Sequence, residues 1–485
     1  MIDRRTPLQG RRMITTDETV VTKDNILSIL QKALSIHWLN RSEITYLWNY
    51  YRGDQPVLSR RKQVRPEICN RIVENRASEI VSFKSGYLMG EPIQYVVRND
   101  GNSEEINLLN EYVFAEEKAS KDKQLADWMH ICGVGYRIVL TDEDVGDDID
   151  DSPFEIYTLD PRNTFVVYNS QLGNKPVLGV MYFVDEKGIT HYSCYSKTDF
   201  YSVSDTSLVE TVPHFYGDIP IIEYPLNIAR QGCFELVLPL LDAINTVDSN
   251  RIDGVEQFVQ SLMLFHNTDI TSDDYEALRE QGALKFRDID PQMQADVTYL
   301  TNSLNQTETQ TLIDYMYQTV LTICGMPNRN GGSSTSDTGS AVIMRDGWSD
   351  AEARAKDSEL YFKQSERKFL KILLNICEHL RNTTLKVCNV EIRFTRRNYE
   401  NILQKAQVLT MMLGSNKIHP RLAFEHCGLF VDSDLAYSMS EEYGNRDNTS
   451  DDTGDTADIE EGQPSGIGDR TETDSDSGDT QTTEI

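Results

Sequence analysis

The chain has 485 residues and eight cysteines, at 69, 132, 194, 233, 324, 377, 388 and 427, with no Cys-x-x-Cys pair. In a chain this long they read as reduced, mostly buried thiols of a protein made in a cytoplasm, not as a disulfide framework. There is no Gly-Lys dipeptide and hence no P-loop, no Gly-x-Ser-x-Gly elbow and no His-Glu-x-x-His. Those absences remove the phosphate cradle of an ATPase, the nucleophile turn of a hydrolase and the ligand pair of a zinc protease. Cys377-Glu378-His379 and His426-Cys427 read as neighbours on packed helices. Carboxylates are so common that pairs of them single out nothing. No catalytic constellation, cofactor or metal site is expected. No apolar run approaches the roughly eighteen residues of a membrane span. The opening MIDRRTPLQGRRMITTDE has charges but no apolar core, so no signal peptide is expected.

Positive charge is scarce as well, with 47 Lys and Arg against 77 Asp and Glu, a net charge of −30. Residues 441–485 hold 15 acids against Arg446 and Arg470, leaving −17 for the other 440 residues. A sequence-specific DNA reader is normally basic. A body of this charge should repel nucleic acid rather than grip it.

What is present centres on residues 306–380. QTETQTLIDYMYQTVLTICGM predicts a helix, with Leu312, Tyr315, Met316, Thr319, Val320 and Ile323 at three- and four-residue spacing. Gly325 and Pro327 end it. The twelve residues NRNGGSSTSDTG that follow carry no apolar side chain, so a mobile polar loop is expected. Residues 340–380 contain no Pro and only Gly347, which predicts a helix of roughly 60 Å.

In chain order, residues 1–22 read as polar and loose. A helix from Asp24, a second around Asn40–Tyr51 and a third over residues 67–89 follow. Between Arg41 and Lys84 nine Lys and Arg face five acids, and Arg60, Arg61 and Lys62 read either as a solvated loop or as a contact to nucleic acid or an acidic partner. Helices are expected over 102–119 and 121–131. Gly133-Val134-Gly135 runs from helix to strand, the wrong order for a dinucleotide fingerprint. TDEDVGDDIDDS at 141–152 fails the EF-hand spacing and reads as a solvated hairpin loop. Residues 153–224 read as an antiparallel sheet. A long helix is expected from Cys233 to Phe265, then a small insertion over 267–305 (helix, strand, strand). After the long helix come a strand at 390–396 and helices near 399–414, 420–427 and 432–443. The tail beyond Tyr443 is Asp-, Thr-, Ser- and Gly-rich and reads as disordered. The fold class is α+β, mainly helical.

NYYRGDQPVL with NRIVENRASEIVSFKSGYLMGEPIQY resembles the opening of portal proteins of tailed bacteriophages, in the branch found in long-tailed phages of Gram-positive bacteria. FEIYTLDPRNTFVVYN resembles a second block of that family, and IPIIEYPLNIARQGCFELVLPLLDAINTVDSNRIDGVEQF a third. The likeness covers residues 25–430 in the same order. It departs at PLNIARQGCFE, where relatives often have an Asn-rich turn and an acidic residue before the helix.

The resemblance implies a ring of twelve subunits at one capsid vertex, with wing, stem, clip and crown around a channel. The wing would be residues 1–232 with the long helix of 340–384. The stem helices would be 233–266 and 306–326, the clip 267–305, the tunnel loop 327–339, the crown 385–443 and the acidic tail 444–485. DNA-facing residues would be Asn328, Arg329, Asn330, Gly331, Gly332, Ser333, Ser334, Thr335 and Ser336. Asp269, Asp273, Asp274 and Glu276 would form the clip surface toward partners. Those partners would be the terminase large subunit, a head-tail adaptor, the major capsid and scaffolding proteins, and double-stranded DNA in transit without sequence preference. The subunit would be made in the host bacterial cytoplasm and end in the virion. The competing readings are a phage nuclease or maturation factor, and a non-catalytic nucleic-acid-binding or scaffold-type assembly protein using Arg60–Arg76.

Overall fold

A computed structural model of the protein describes residues 8–98, 103–141, 151–259, 262–269, 276, 287–289, 296–300, 306–328, 347–396, 402–415, 417–430 and 433–450. The chain divides into two units, residues 1–401 and 402–485.

The first unit begins with strand β1 (Ile14–Thr16) and helix α1 (Ile26–Tyr51). Apolar and small residues at Ile26, Ile29, Leu30, Ala33, Ile44 and Leu47 keep one buried face throughout, so the two helices expected here are one. Asn40 does not break it, because its amide is used sideways. Arg12 N donates to Asn40 Oδ1 at 3.0 Å and Asn40 Nδ2 donates to Arg12 O at 2.8 Å. The N-terminal stretch from residue 8 is therefore not loose. β1 pairs in parallel with β5 (Thr164–Asn169), and the buried Arg11 pairs with Glu235 at 3.0 Å and Glu43 at 3.2 Å.

Next come α2 (Arg76–Leu88), β2 (Gln94–Val97), α3 (Ser103–Ala115), α4 (Lys118–Cys132) and β3 (Val134–Thr141). Residues 67–75, expected to be helical, are not: a turn ends at Ile68 and an irregular stretch follows, for a reason given below. β3 is central, with Val134 to Val139 all buried. Gly135 lets it lie on α4, since a Cβ there would stand 2.7 Å from Leu125 Cδ1.

The β-rich region forms two sheets rather than one. β4 (Phe154–Leu159) and β10 (Ile221–Pro225) flank β3 antiparallel. β5, β6 (Pro176–Val184), β7 (Thr190–Tyr195), β8 (Asp199–Ser204) and β9 (Ser207–Pro213) form an antiparallel meander beside β1. Its inner face, with Phe165, Val167, Val180 and Tyr201, packs on the first half of α1.

A 3-10 turn (Glu235–Val237) leads into α5 (Leu238–Val259). The helix expected to reach Phe265 ends at Val259, and β11 (Leu262–His266) pairs antiparallel with β14 (Asp296–Leu300). Four consecutive apolar residues, LMLF, suit either state, and the partner strand decides. Between these lie β12 (Thr268–Asp269) and β13 (Arg287–Asp288), also paired. The helix expected at 272–281 lies outside the described residues, Glu276 excepted. Helix α6 (Gln306–Cys324) and helix α7 (Trp348–Arg381) follow. α7 was expected from 340, and residues 340–346 lie outside the described ones. β15 (Val390–Arg393) pairs with β2 and so belongs to the first unit.

The second unit holds α8 (Ile402–Leu413), α9 (Pro420–Cys427) and α10 (Ser433–Ser450). α10 runs seven residues past Tyr443, into what was read as disordered tail.

The long helix is fixed by charge. Glu366 of α7 is fully buried against Lys118 (2.8 Å), Arg137 (3.5 Å) and the hydroxyls of Tyr95 (2.6 Å) and Tyr224 (2.7 Å). Asp122 completes a neutral quartet, pairing with Lys118 at 2.7 Å and with Arg137. Burial works to raise the Glu366 carboxyl, but Lys118 and Arg137 outweigh it and hold it below the usual range. Removing one member leaves buried charge uncompensated. Glu366→Gln should lower the free energy of unfolding by about 3–5 kcal/mol, measured by guanidinium titration at fixed protein concentration. A loss under about 1 kcal/mol, the size of a surface pair, would show that the quartet does not anchor α7.

Candidate functional site

The expected site is the loop between α6 and α7, so the structure matters first for what holds the loop's ends. α5 and α6 pack against each other in opposite directions. Near the end of α5, Arg251 donates to Gln306 (3.1 Å) and Gln310 (2.9 Å) at the start of α6. At the other end, the Cys324 thiol reaches the Cys233 carbonyl, 3.6 Å away, just before α5 begins. The corner that enters α5 is built around Glu235. Its carboxylate accepts from Gly232 N at 2.7 Å while pairing with Arg11. Burial pushes this carboxyl up to about 7, against the pull of Arg11. An acidic residue thus does precede the helix, within the stretch PLNIARQGCFE.

A strap over residues 69–75 binds α5 from outside. Asn70 N donates to Asp253 Oδ1 (2.7 Å), Ile72 N to Ser249 Oγ (3.0 Å) and Glu74 N to Asn245 Oδ1 (2.9 Å). Four helical residues rise about 6 Å, and two extended residues span about 6.6 Å. Every second strap amide therefore meets every fourth helix side chain. The three acceptors are fully buried, and the strap amides they satisfy would otherwise be orphaned. The signal was in the sequence, as polar residues at 245, 249 and 253 on a helix otherwise rich in apolar ones.

The basic stretch before the strap resolves in the same place. Arg60 pairs with Asp253 at 2.9 Å and Lys62 with Asp253 at 3.1 Å, while Arg61 is exposed. Arg65 pairs with Glu67, and Arg76 with Glu74 and Glu79. Two of the three clustered cations are thus an intramolecular clasp on α5.

The end of α6 rests on α2. Tyr317 OH donates to Glu79 at 2.9 Å, with the Arg76 guanidinium 4.0 Å from the Tyr317 ring centre. Lys84 Nζ donates to Gly325 O at 3.1 Å. Both ends of the loop come together here. Gly347 stands where an added Cβ would lie 3.8 Å from Pro327 Cα. Trp348, the first residue of α7, sits 6.0 Å from the Phe83 ring and 6.1 Å from Tyr87. Tyr87 OH donates to Glu352 (2.9 Å), and Arg396 pairs with Glu352 (3.1 Å) and Glu359 (2.7 Å). A cleft of about 520 Å³, lined by Arg76, Phe83, Tyr317, Leu321 and Met326, opens beside this base.

Of the residues expected to face DNA, Asn328 is half-buried at the loop's exit. Arg329, Asn330, Gly331, Gly332, Ser333, Ser334, Thr335 and Ser336 lie outside the described residues. On the expected clip surface, Asp269 ends β12, opposite Arg287, and Glu276 is exposed. Asp273 and Asp274 lie outside the described residues. Among the described residues no three His, Cys, Asp or Glu side chains converge as metal ligands. No described helix is long and apolar enough to cross a membrane.

Residues 30–446 match the family model described as phage portal protein, SPP1 Gp6-like. The chain belongs to that family. It is also 23% identical over 287 residues to the portal protein of Clostridium phage phiCD119. That match takes in 53% of this chain and 63% of the relative, so the shared stretch spans less than two thirds of the relative's length.

The Asp253 clasp is open to titration. Burial would raise this carboxyl, but the bonds from Asn70, Lys62 and Arg60 outweigh it and draw it down to about 2. A depressed carboxylate stabilises the fold above its unfolded value near 3.8, and the contribution is lost as pH falls toward 2. Asp253→Asn should reduce stability at pH 7 and flatten the acid limb between about pH 4 and pH 2, read by chemical denaturation at each pH. An unchanged acid limb would show that the clasp does not titrate with folding.

Proposed function

We propose that this chain assembles into a closed ring at one vertex of a phage capsid, and that the genome passes through the ring's channel during packaging and ejection. The observation that carries this reading is the family match over residues 30–446. The antiparallel pair α5 and α6, with a loop whose two ends are clamped at one point, supports it. Twelve copies of residues 327–339 would then ring the channel. The stem helices would be α5 and α6, the clip the insertion between them, and the crown residues 385–443. End-on electron micrographs of the purified protein test the ring, and sedimentation as a small oligomer would overturn it. The alternative, a free nucleic-acid binder, is weakened because the basic stretch it needs is largely paired with acids of its own chain.

In this reading the channel conducts DNA without gripping it. One Arg329 and one Asp337 leave the loop nearly neutral, and Asn330, Ser333, Ser334, Thr335 and Ser336 offer weak, rapidly exchanging hydrogen bonds to phosphates. Each added cation would bring a salt-dependent phosphate contact. Replacing Ser333, Ser334 and Ser336 by Lys should stall packaging while rings still form. Replacing Gly331 and Gly332 by Pro should slow it by stiffening the loop. The measurement is DNA packaged per procapsid over time, and parental rates for both variants would place the loop away from DNA.

The clip, residues 267–305, would dock the terminase large subunit and then the head-tail adaptor. Asp269, Asp273, Asp274 and Glu276 would give a negative face suited to a basic partner. The wing would meet the major capsid and scaffolding proteins. Deleting residues 272–281 should leave rings intact and abolish packaging, so packaging at the parental level by that deletion would remove the assignment.

A further inference from the structure

Two of the eight cysteines meet where α5 begins and α6 ends. Cys233 lies just before the 3-10 turn that leads into α5, and its amide donates to His130 O at 2.8 Å. Cys324 is the last residue of α6. Its thiol donates to the Cys233 carbonyl at 3.6 Å, across a separation of 91 residues. A thiol of one residue on the carbonyl of the other keeps the two backbones adjacent, as a bridge between them requires. Both residues belong to the first unit, and both are free thiols.

An oxidant has a way in. Both cysteines line a cleft of about 630 Å³ together with Lys84, His130, Leu236 and Arg354. Lys84 Nζ is fixed on the carbonyl of Gly325, the next residue after Cys324, at 3.1 Å. Burial pushes the Cys324 thiol up to about 11 and the Cys233 thiol well above its usual range, and the Lys84 ammonium pulls both back. Arg354 acts on Cys324 in the same sense as Lys84, while Glu235 works against it at Cys233. His130 is neutral, because burial draws it down to about 3. A cation beside a thiol favours the thiolate, the form that reacts.

We propose that Cys233 and Cys324 are a dithiol that closes to a disulfide when the protein meets a hydroperoxide. The Cys233 thiolate attacks the outer peroxide oxygen, the O–O bond breaks, and the Cys233 proton leaves on the alcohol (water, for hydrogen peroxide). Cys324 then attacks the sulfenic acid on Cys233. The S–S bond forms, the S–O bond breaks, and the Cys324 proton leaves in water. The two sulfurs are oxidised and the peroxide oxygens reduced. The bridge ties the entry of α5 to the exit of α6, so that both helices and the paired strands β11 and β14 fall within one closed span. It goes beyond the ring reading and holds whether or not the chain forms rings.

The test uses the full chain, hydrogen peroxide as the probe, alkylation in denaturant and peptide mapping. The parent should lose two alkylatable thiols of its eight, recovered by reductant, and should yield a crosslinked peptide pair joining Cys233 to Cys324. In Cys324→Ser the sulfenic acid meets no second thiol, so dimedone should label Cys233 severalfold more than in the parent. Closure should quicken about tenfold per pH unit from about pH 7 to pH 9, since burial holds both thiols protonated there. The thermal midpoint of the parent should rise on oxidation and fall back with reductant, and that of Cys233→Ser should not move. Cys233 and Cys324 both still alkylated once peroxide has oxidised other cysteines would overturn the proposal. So would Cys233 ending as sulfinic acid in the parent, or a closure rate flat with pH.

Discussion

Four charges in the middle of the first unit set the position of the longest helix. Lys118, Asp122, Arg137 and Glu366 are all buried, and they sum to zero. Such a quartet adds little net stability over an apolar core of the same shape, because desolvation offsets most of the attraction. Its value is in register. α7 is 34 residues long, about 50 Å at 1.5 Å per residue, and its buried face is mostly Phe, Leu and Ile. An apolar seam of that kind tolerates a slip of one turn better than a charge does. A slip of α7 would strand Glu366 away from both cations and from the Tyr95 and Tyr224 hydroxyls. With the register fixed, Trp348 is held beside Phe83 and Tyr87, and the return point of the loop is fixed with it. The geometry at the base of the loop therefore depends on a charge cluster eighteen residues further along the helix.

The same logic explains where the positive charge goes. Arg11, Arg60, Lys62, Lys118, Arg137, Arg230 and Arg396 are each paired with carboxylates of the same chain. Arg230 apart, these cations join segments distant in sequence, such as the N-terminal stretch to the corner at Glu235 and the residue-60 loop to α5. With so many cations turned inward, the excess of acid is left for the surface. On the proposed channel reading that is the useful sign, since a conduit that attracted phosphates along its length would hold the polymer it must release.

Periodicity carried most of the elements, and the exceptions have specific causes. Residues 67–75 have Ile68 and Ile72 at helical spacing, yet they are not helical, because α5 offers the amides of residues 70–74 acceptors at Asn245, Ser249 and Asp253. Nothing local in the strap records that, so tertiary contact overrides propensity. α1 is one helix where two are expected, because the bonds that Asn40 makes to the Arg12 backbone are remote in sequence. α6 misled in a different way. Its predicted apolar face is two faces, with Met316 and Val320 buried and Leu312, Tyr315 and Ile323 exposed. A spacing rule cannot tell a face covered by the same chain from one left open.

The twelve residues 328–339 stand out in the sequence as polar, with Gly at 331 and 332, but the anchoring of the segments that flank them was not legible. Gly325 and Gly347 take positive φ, +60° and +81°, a left-handed turn that glycine makes without strain. One leaves α6 and the other enters α7, so the chain is redirected sharply at both ends. Each anchor then comes from α2: Lys84 on the Gly325 carbonyl, Phe83 and Tyr87 around Trp348. One helix thus holds both ends of the loop. The base on which that segment stands is therefore set by a single helix, and through the register of α7 by the charge quartet around Glu366.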